Sequence, residues 1–156
     1  MDLAKKNTIM AKDVIKNVMK YYNTGVILAV SNPVDILTYI IQVYSGLPYG
    51  RVLGSGTVLD SSRFRYLLSR KLDVDIRNVH GYIIGEHGDT QLPVWSATHI
   101  AGQKIDEFCS NPESGFTEED KTKIAEEVKN AGAEIIKYKG ATHYAIAIAV
   151  SNIVDT

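Results

Sequence analysis

VILAVSNP, residues 26–33, is the stretch of sequence that decides the fold class. Its first five residues form an unbroken apolar run instead of an alternating one, which is typical of a strand buried on both faces in a parallel sheet covered by helices. Pro33 suits the first turn of a helix that we expect to run to about Tyr44. The stretch therefore predicts a buried strand followed directly by a helix, as in α/β proteins.

The segments on either side continue this pattern. Residues 2–22 place apolar side chains at three- and four-residue steps with lysines between them, which predicts an amphipathic helix. Gly25 ends that helix, and residues 51–54 form a second short strand. The apolar side of the helix consists of Leu3, Met10, Val14, Ile15, Val18, Met19 and Tyr22. Helix, strand, helix and strand predict half of a doubly wound parallel sheet.

The sequence changes character after Gly54, and a mixed α+β region is expected over residues 55–156. We expect, in order, a helix over 57–72, a strand over 76–84, a loop at 85–89, a partly extended segment over 92–102, a surface turn at 111–115, a long helix to Lys139 and a last helix over 142–154. The long helix opens with a capping box from Thr117 to Asp120. Its apolar side is formed by Ile124, Val128, Ala131 and Ile135. The last helix is apolar on several sides, which predicts that it is buried.

The composition excludes several classes of function. The chain has 156 residues, of which 45% are hydrophobic and 22% charged, with a formal net charge of −1. That is an ordinary globular composition, and it argues against a nucleic-acid binder, which needs clustered Lys and Arg. The longest apolar runs, residues 26–30 and 144–150, are too short to cross a bilayer. The start of the sequence does not resemble a secretory signal, and the single cysteine, Cys109, is in keeping with a reducing cytoplasm.

Two groups of ionisable residues could carry chemistry. Asp60 and Arg63 stand three residues apart on one face of a predicted helix, either as a solvated ion pair or as part of a site, while Arg65 points elsewhere and needs another partner. His87 lies between glycines in the loop Gly85-Glu86-His87-Gly88-Asp89, where it is either an exposed turn residue or a general acid and base. A bond from Asp60 to the imidazole would hold its tautomer and favour its charged form.

Other constellations are weaker. Four histidines, at positions 80, 87, 99 and 143, lack the spacing of a zinc site, so we expect no metal. Gly54-Ser55-Gly56 has neither the spacing of a nucleophile elbow nor that of a dinucleotide fingerprint, since Leu59 stands where the third glycine belongs.

The segments VSNPVD (30–35), GSGTVLDSSRFR (54–65), GEHGDTQLPVWS (85–96) and GAT (140–142) resemble the L-lactate dehydrogenases, in that order and at that separation. The resemblance covers essentially the whole chain. It implies an α/β fold made of the second half of a Rossmann-type parallel sheet, residues 1–54, followed by most of a mixed α+β catalytic domain, residues 55–156, with the last helix packing back on the first domain. The related malate dehydrogenases share the same kind of mechanism but usually differ in sequence around these segments.

The resemblance also implies a role for individual residues. His87 matches the catalytic acid and base, Asp60 its paired carboxylate, and Arg63 the guanidinium that grips the substrate carboxylate. Further matches are Asn32 and Thr142 for substrate, Val30, Asn32 and Ser55 for the nicotinamide end of NAD, and Arg65 with His80 for the effector fructose 1,6-bisphosphate. The implied reaction is hydride transfer between NADH and pyruvate, in a cytoplasmic, allosteric homotetramer of glycolysis and fermentation. No nucleic acid, membrane or metal is expected as a partner.

The family pattern extends beyond this chain at both ends. Three parts of the family pattern would lie before Met1, namely the G-x-G-x-x-G turn, the acidic ribose ligand and the mobile substrate loop. Further strands and a helix would lie after Thr156. The sequence therefore resembles the middle of such an enzyme, and we expect the chain by itself to be impaired or inactive. A malate dehydrogenase-type oxidoreductase and a non-catalytic fragment remain the alternatives.

Overall fold

The computed structural model describes residues 2–111 and 114–156, which form two compact units divided between Gly56 and Thr57. The helices are α1 Asp2–Val18, α2 Val34–Ser45, α3 Val58–Leu72, α4 Ile105–Phe108, α5 Glu118–Lys139 and α6 Tyr144–Val154. The strands are β1 Ile27–Ala29, β2 Val52–Gly54, β3 Val79–His80, β4 Ile83–Ile84, β5 Leu92–Pro93, β6 His99–Ile100 and β7 Gln103–Lys104. The mixture of helices with parallel and antiparallel strands confirms the predicted α/β class.

The first unit is built on two parallel strands. β1 and β2 lie side by side with Ile27 opposite Val52 and Ala29 opposite Gly54. α1 and α2 pack against each other, and α2 also packs on both strands. The peptide bond between Asn32 and Pro33 is cis, and α2 begins directly after it. The carboxyl ends of both strands therefore lie at the same edge of the sheet, and Val30 and Ser55 follow them there.

Burial in the first unit differs from the sequence expectation. α1 ends at Val18, and of its predicted apolar side Ile15 is buried, at 3% exposure, whereas Met10 and Val14 are exposed. The side chain of Leu3 lies outside the described part of the chain. In β1 only Ala29 is buried, so the prediction of a strand buried on both faces is wrong. An open cavity of about 360 Å³ lies between α1, β1 and α2, and Ile27 and Leu28 of β1 are among the residues that line it.

The second unit has a continuous hydrophobic core with α3 at its centre. Phe64 and Leu68 are fully buried on α3, and the ring of Trp95 meets Phe64 edge-on with 5.0 Å between centroids. The other buried members of the core are Val79, Ile83, Ile100, Ile105, Ile124 and Val128. Phe64 and Leu68 follow Asp60 at four-residue steps, so the side of α3 that is fixed in the core is the one from which Asp60 projects.

The strand predicted over residues 76–84 is in fact divided. Residues Ile76–Asn78 form a 3-10 turn, β3 pairs antiparallel with β6, and β4 pairs antiparallel with β5 in a different sheet. Gly81 lies between them, and a Cβ there would lie 2.7 Å from Cε1 of Phe64. The break at Gly81 therefore follows from close packing against α3, a contact with a distant segment that the local sequence does not show.

The two long C-terminal helices show one confirmed and one incorrect expectation. The capping box at the start of α5 is present, with Thr117 and Asp120 each satisfying a backbone N–H of the other. α6 packs against α3, but Ala149 is its one buried residue while Tyr144 and Ile148 are exposed, so α6 is less buried than predicted. The predicted turn at 111–115 includes Pro112 and Glu113, which lie outside the described residues. Within the described ranges, each helix is too short or too polar to span a bilayer.

Candidate active site

The candidate site is centred on the buried carboxylate of Asp60. Asp60 lies in the first turn of α3, where the positive end of the helix dipole favours a negative charge. Its side chain is only 2% exposed, and it contacts His87 and Arg63. A buried carboxylate is costly unless it is paired, so this pairing is what allows Asp60 to be charged inside the protein.

His87 reaches Asp60 from a hairpin loop. β4 and β5 are joined by residues 85–91, and Gly85 turns the chain there with a φ of 89°, a value that favours glycine. Nδ1 of His87 lies 2.5 Å from Oδ2 of Asp60, and the ring keeps 27% of its surface exposed. Within the loop, the hydroxyl of Thr90 donates to Glu86 at 2.6 Å. The loop therefore holds the imidazole against the carboxylate while part of its surface stays exposed.

Arg63 lies beside the same carboxylate. Its Nη1 donates to Oδ1 of Asp60 at 3.4 Å, and its side chain is largely buried. Among the residues that the structure describes, Asp60 is the sole polar partner of this guanidinium. Most of its planar set of N–H donors is therefore available to a ligand, and this geometry suits a carboxylate bound through two parallel hydrogen bonds.

The arrangement suits one kind of chemistry. An ionised carboxylate can only accept, so with Asp60 ionised the hydrogen between the two side chains lies on Nδ1 of His87, and Nε2 is the nitrogen that would exchange a proton with a substrate. Arg63 stands on the same helix as Asp60, one turn further on. The three side chains can bind a small carboxylic acid and give a proton to, or take one from, a neighbouring oxygen.

The basic pair Arg65 and His80 lies on neighbouring elements. Arg65 donates from Nη1 to the carbonyl of Gly81 at 3.2 Å and from Nη2 to Ser62 at 3.1 Å, which supplies the separate partner expected for it. His80 is exposed on β3, opposite His99 of β6. The guanidinium thus contacts the carbonyl of Gly81, the residue that follows His80.

The remaining predicted residues lie in other parts of the two units. In the first unit, Val30 is partly exposed, Ser55 is buried with its N–H donating to Ala29 at 2.9 Å, and Asn32 accepts at its carbonyl from Asn7 at 2.8 Å. In the second unit, Thr142 is half-buried just before α6. No hydrogen bond within the described part of the chain connects Thr142 to Asp60, Arg63 or His87.

The sequence interpretation missed two hydroxyl residues, one just before α3 and one in its first turns. Thr57, the residue that precedes α3, donates to the carbonyl of Ile83 at 2.7 Å. Ser61, which is buried, accepts from the N–H of Ile83 at 2.9 Å and donates to its carbonyl at 3.3 Å. With Arg65 they form a polar series at four-residue spacing, and this spacing is the signal that could have shown them to share one face.

Comparisons with known proteins cover nearly the entire chain. Residues 1–54 match the NAD binding domain of the lactate/malate dehydrogenases, and residues 57–156 match the alpha/beta C-terminal domain of the same family. L-lactate dehydrogenase from Thermoanaerobacter pseudethanolicus is 53% identical over 155 residues, which are 99% of this chain and 50% of that protein. L-lactate dehydrogenase from Clostridium perfringens is 50% identical over 99% of this chain and 49% of its own length. The chain thus spans about half the length of the curated relatives it matches.

Solved structures agree with these matches. An L-lactate dehydrogenase from Clostridium thermocellum is 66% identical with a TM-score of 0.88, covering 99% of this chain and 50% of that one. A minor L-lactate dehydrogenase from Enterococcus mundtii in a ligand-bound form is 46% identical with a TM-score of 0.93, covering 98% of this chain and 48% of that one. Both domain matches, the identities and the shared fold lead to one conclusion: the chain belongs to the lactate/malate dehydrogenase family, whose cofactor is NAD.

Proposed function

We propose that the chain carries the catalytic and substrate-binding half of an L-lactate dehydrogenase, which transfers hydride reversibly between NADH and pyruvate. The observation that carries the proposal is the contact of 2.5 Å between Asp60 and His87, with Arg63 on the same carboxylate. This is the geometry needed to bind a three-carbon keto acid by its carboxylate and protonate its carbonyl oxygen. The names of the relatives favour lactate over malate as the product.

Each residue of the cluster then has a defined role. Arg63 binds the substrate carboxylate and fixes its orientation, while protonated His87 gives its Nε2 proton to the carbonyl oxygen. Asp60 holds the ring and stabilises the imidazolium before that transfer. In the reverse direction, neutral His87 takes the proton from the hydroxyl of lactate. We assign Thr142 and Asn32 to further contacts with the substrate.

The first unit fits one end of the cofactor. Ligands of open α/β sheets bind beyond the carboxyl ends of parallel strands, and Val30, Asn32 and Ser55 follow the carboxyl ends of β1 and β2. We propose that these residues contact the nicotinamide end of NAD. NADH, when bound, supplies the hydride for the carbonyl carbon. The sequence contains no G-x-G-x-x-G turn to receive the pyrophosphate.

We infer that residues 1–54 form the C-terminal half of a Rossmann-type domain and residues 55–156 the catalytic domain. Since the chain has no pyrophosphate-binding turn, we expect it by itself to bind NADH no more tightly than millimolar and to be impaired or inactive. Isothermal titration of the chain with NADH measures this. Binding in the micromolar range would contradict it.

A chimera tests the catalytic assignment directly. The matched half of the Thermoanaerobacter enzyme is replaced by this chain, which is 53% identical to it over 155 residues. We expect NADH-dependent turnover of pyruvate, a loss of about 100- to 10,000-fold in kcat for His87→Asn, and little change for His99→Asn, a matched control on β6. A folded chimera that binds NADH without reducing pyruvate, or that keeps its activity without His87, would overturn the proposal.

Two alternatives are separated in the same experiment. Preferential turnover of oxaloacetate would assign the chain to malate dehydrogenase chemistry. A chimera that folds but reduces neither keto acid would assign the chain to a non-catalytic role.

We further propose that Arg65 and His80 bind fructose 1,6-bisphosphate in a homotetramer, and that the protein acts in the cytoplasm in glycolysis and fermentation. The contact of Arg65 with the peptide beside His80 supports the pairing of these two basic side chains. Sedimentation of the chimera with and without the bisphosphate tests this. An unchanged mass together with no heat of binding would refute it.

A further inference from the structure

The hydroxyls of Thr57 and Ser61 bind the edge of β4 that is not paired with β5. Ile83 lies opposite Pro93, and the neighbouring residue Tyr82 accepts from Val94 at 2.9 Å. In an antiparallel ladder, hydrogen-bonded pairs alternate with pairs that are not hydrogen-bonded. Since Tyr82 is hydrogen-bonded to Val94, the N–H and carbonyl of its neighbour Ile83 point away from β5. β4 has no second neighbouring strand among the described residues.

Both of those backbone groups are satisfied by α3. Ser61 accepts from the N–H of Ile83 at 2.9 Å and donates to its carbonyl at 3.3 Å, and Thr57 donates to the same carbonyl at 2.7 Å. Ser61 and Ile83 are both buried, where unpaired polar groups are costly, so the contacts persist. Two side chains thus take the place of a missing strand.

The position of these bonds in the chain connects them to the candidate active site. Asp60 immediately precedes Ser61 on α3, and Ile83 lies on β4, which leads directly into the loop that carries His87. The distance between α3 and β4 therefore sets how closely the imidazole approaches the carboxylate.

We propose that Ser61, together with Thr57, is a positioning residue that fixes His87 against Asp60 by holding the backbone of Ile83. Neither side chain needs to contact the substrate. The importance of Ser61 and Thr57 for catalysis rests on the function proposed above, whereas their effect on the position of His87 does not.

The test is the NMR signal of the Nδ1 proton of His87 in the full chain, assigned by its loss in His87→Gln. A short hydrogen bond to a carboxylate moves this proton downfield and slows its exchange with water. We expect Ser61→Ala to accelerate its exchange about tenfold or to abolish the signal, as the loss of a single buried hydrogen bond predicts. Thr57→Val, which keeps the shape of the side chain, is expected to act in the same direction and more weakly.

Ser69→Ala is the matched control. Its hydroxyl donates to the carbonyl of Val74 at 2.7 Å, at the other end of the same helix. It is expected to cost similar stability and to leave the signal of His87 unchanged.

The outcomes separate this proposal from the catalytic one. An unchanged Nδ1 proton in folded Ser61→Ala and Thr57→Val, or an equal change in Ser69→Ala, overturns the positioning role even if His87 proves essential in the chimera. A changed proton in the first two variants alone supports the positioning role, even if the chimera turns over pyruvate without His87.

Discussion

At the residue scale, the site depends on the burial, charge and hydrogen bonding of its three side chains. Asp60 is deeply buried, and its charge is tolerable because His87 and Arg63 both contact it. Nη1 of Arg63 donates to Asp60 over a long distance of 3.4 Å. This contact orients the guanidinium, and its other N–H groups can still bind a ligand. Orientation of a planar donor group is what distinguishes arginine from lysine at such a position.

Arg63→Lys should therefore separate binding from chemistry in the chimera. Lysine keeps the charge but cannot form two parallel hydrogen bonds, so we expect KM for pyruvate to rise about 10- to 100-fold with a smaller change in kcat. Steady-state kinetics measure both constants. Arg70→Lys, an exposed position on the same helix, is the control and should change neither. An unchanged KM in Arg63→Lys would exclude Arg63 from carboxylate binding.

At the scale of the elements, α5 is fixed to α3 at its first turn. Asp120 closes the capping box with Thr117 and also accepts from the ammonium of Lys71, on α3, at 2.8 Å. The bond from Lys71, and after it the bonds from Thr117, lower the pKa of the Asp120 carboxyl from 3.8 to about 2. A carboxyl whose pKa is lowered by folding stabilises the folded state above its unfolded pKa, and this contribution is lost as the pH falls through the folded value.

Asp120→Asn is accordingly expected to lower stability most at neutral pH. The difference in unfolding midpoint between this variant and the parent should shrink as the pH falls from about 4 to about 2 and be absent below that range. Urea unfolding over a pH series measures it. Glu126→Gln, which removes an exposed carboxylate of α5, is the control and should lie close to the parent throughout. A difference that stays constant with pH would show that the charge of Asp120 contributes nothing.

At the scale of the whole molecule, the core of the second unit determines where the site residues stand. Phe64 and Leu68 hold α3 on its apolar side, and Ile83 is buried in the same core while its backbone is bound by Ser61. Gly81 allows this close approach of strand and helix, because a Cβ there would meet the ring of Phe64. Core packing and site geometry therefore share the same residues.

Gly81→Ala tests that connection. The added methyl would lie 2.7 Å from the ring of Phe64, which is held edge-on by Trp95, so we expect a loss of roughly 1–3 kcal/mol in the free energy of unfolding. Gly132→Ala on α5 is the matched control, since a Cβ there meets no atom within 4 Å, and it should stabilise by about 0.5–1 kcal/mol. Chemical denaturation compares the two. Equal stabilities for both variants would contradict the packing argument.

The sequence by itself determined the order of the long helices, the capping box at Thr117 and the shared helix face of Asp60 and Arg63, because each of these depends on residues near one another in the chain. It also determined the family, through motifs in four separate segments. The resemblance already implied that Asp60 pairs with His87, but tertiary structure alone decided the geometry of that bond and the packing around it. The bond between Asp60 and His87 joins positions 27 residues apart, and the division of the 76–84 segment depends on Phe64 meeting Gly81. The exposure of the VILAV strand depends on what packs against it. Contacts of this kind arise from packing between distant segments, which local patterns of hydrophobicity and spacing do not encode.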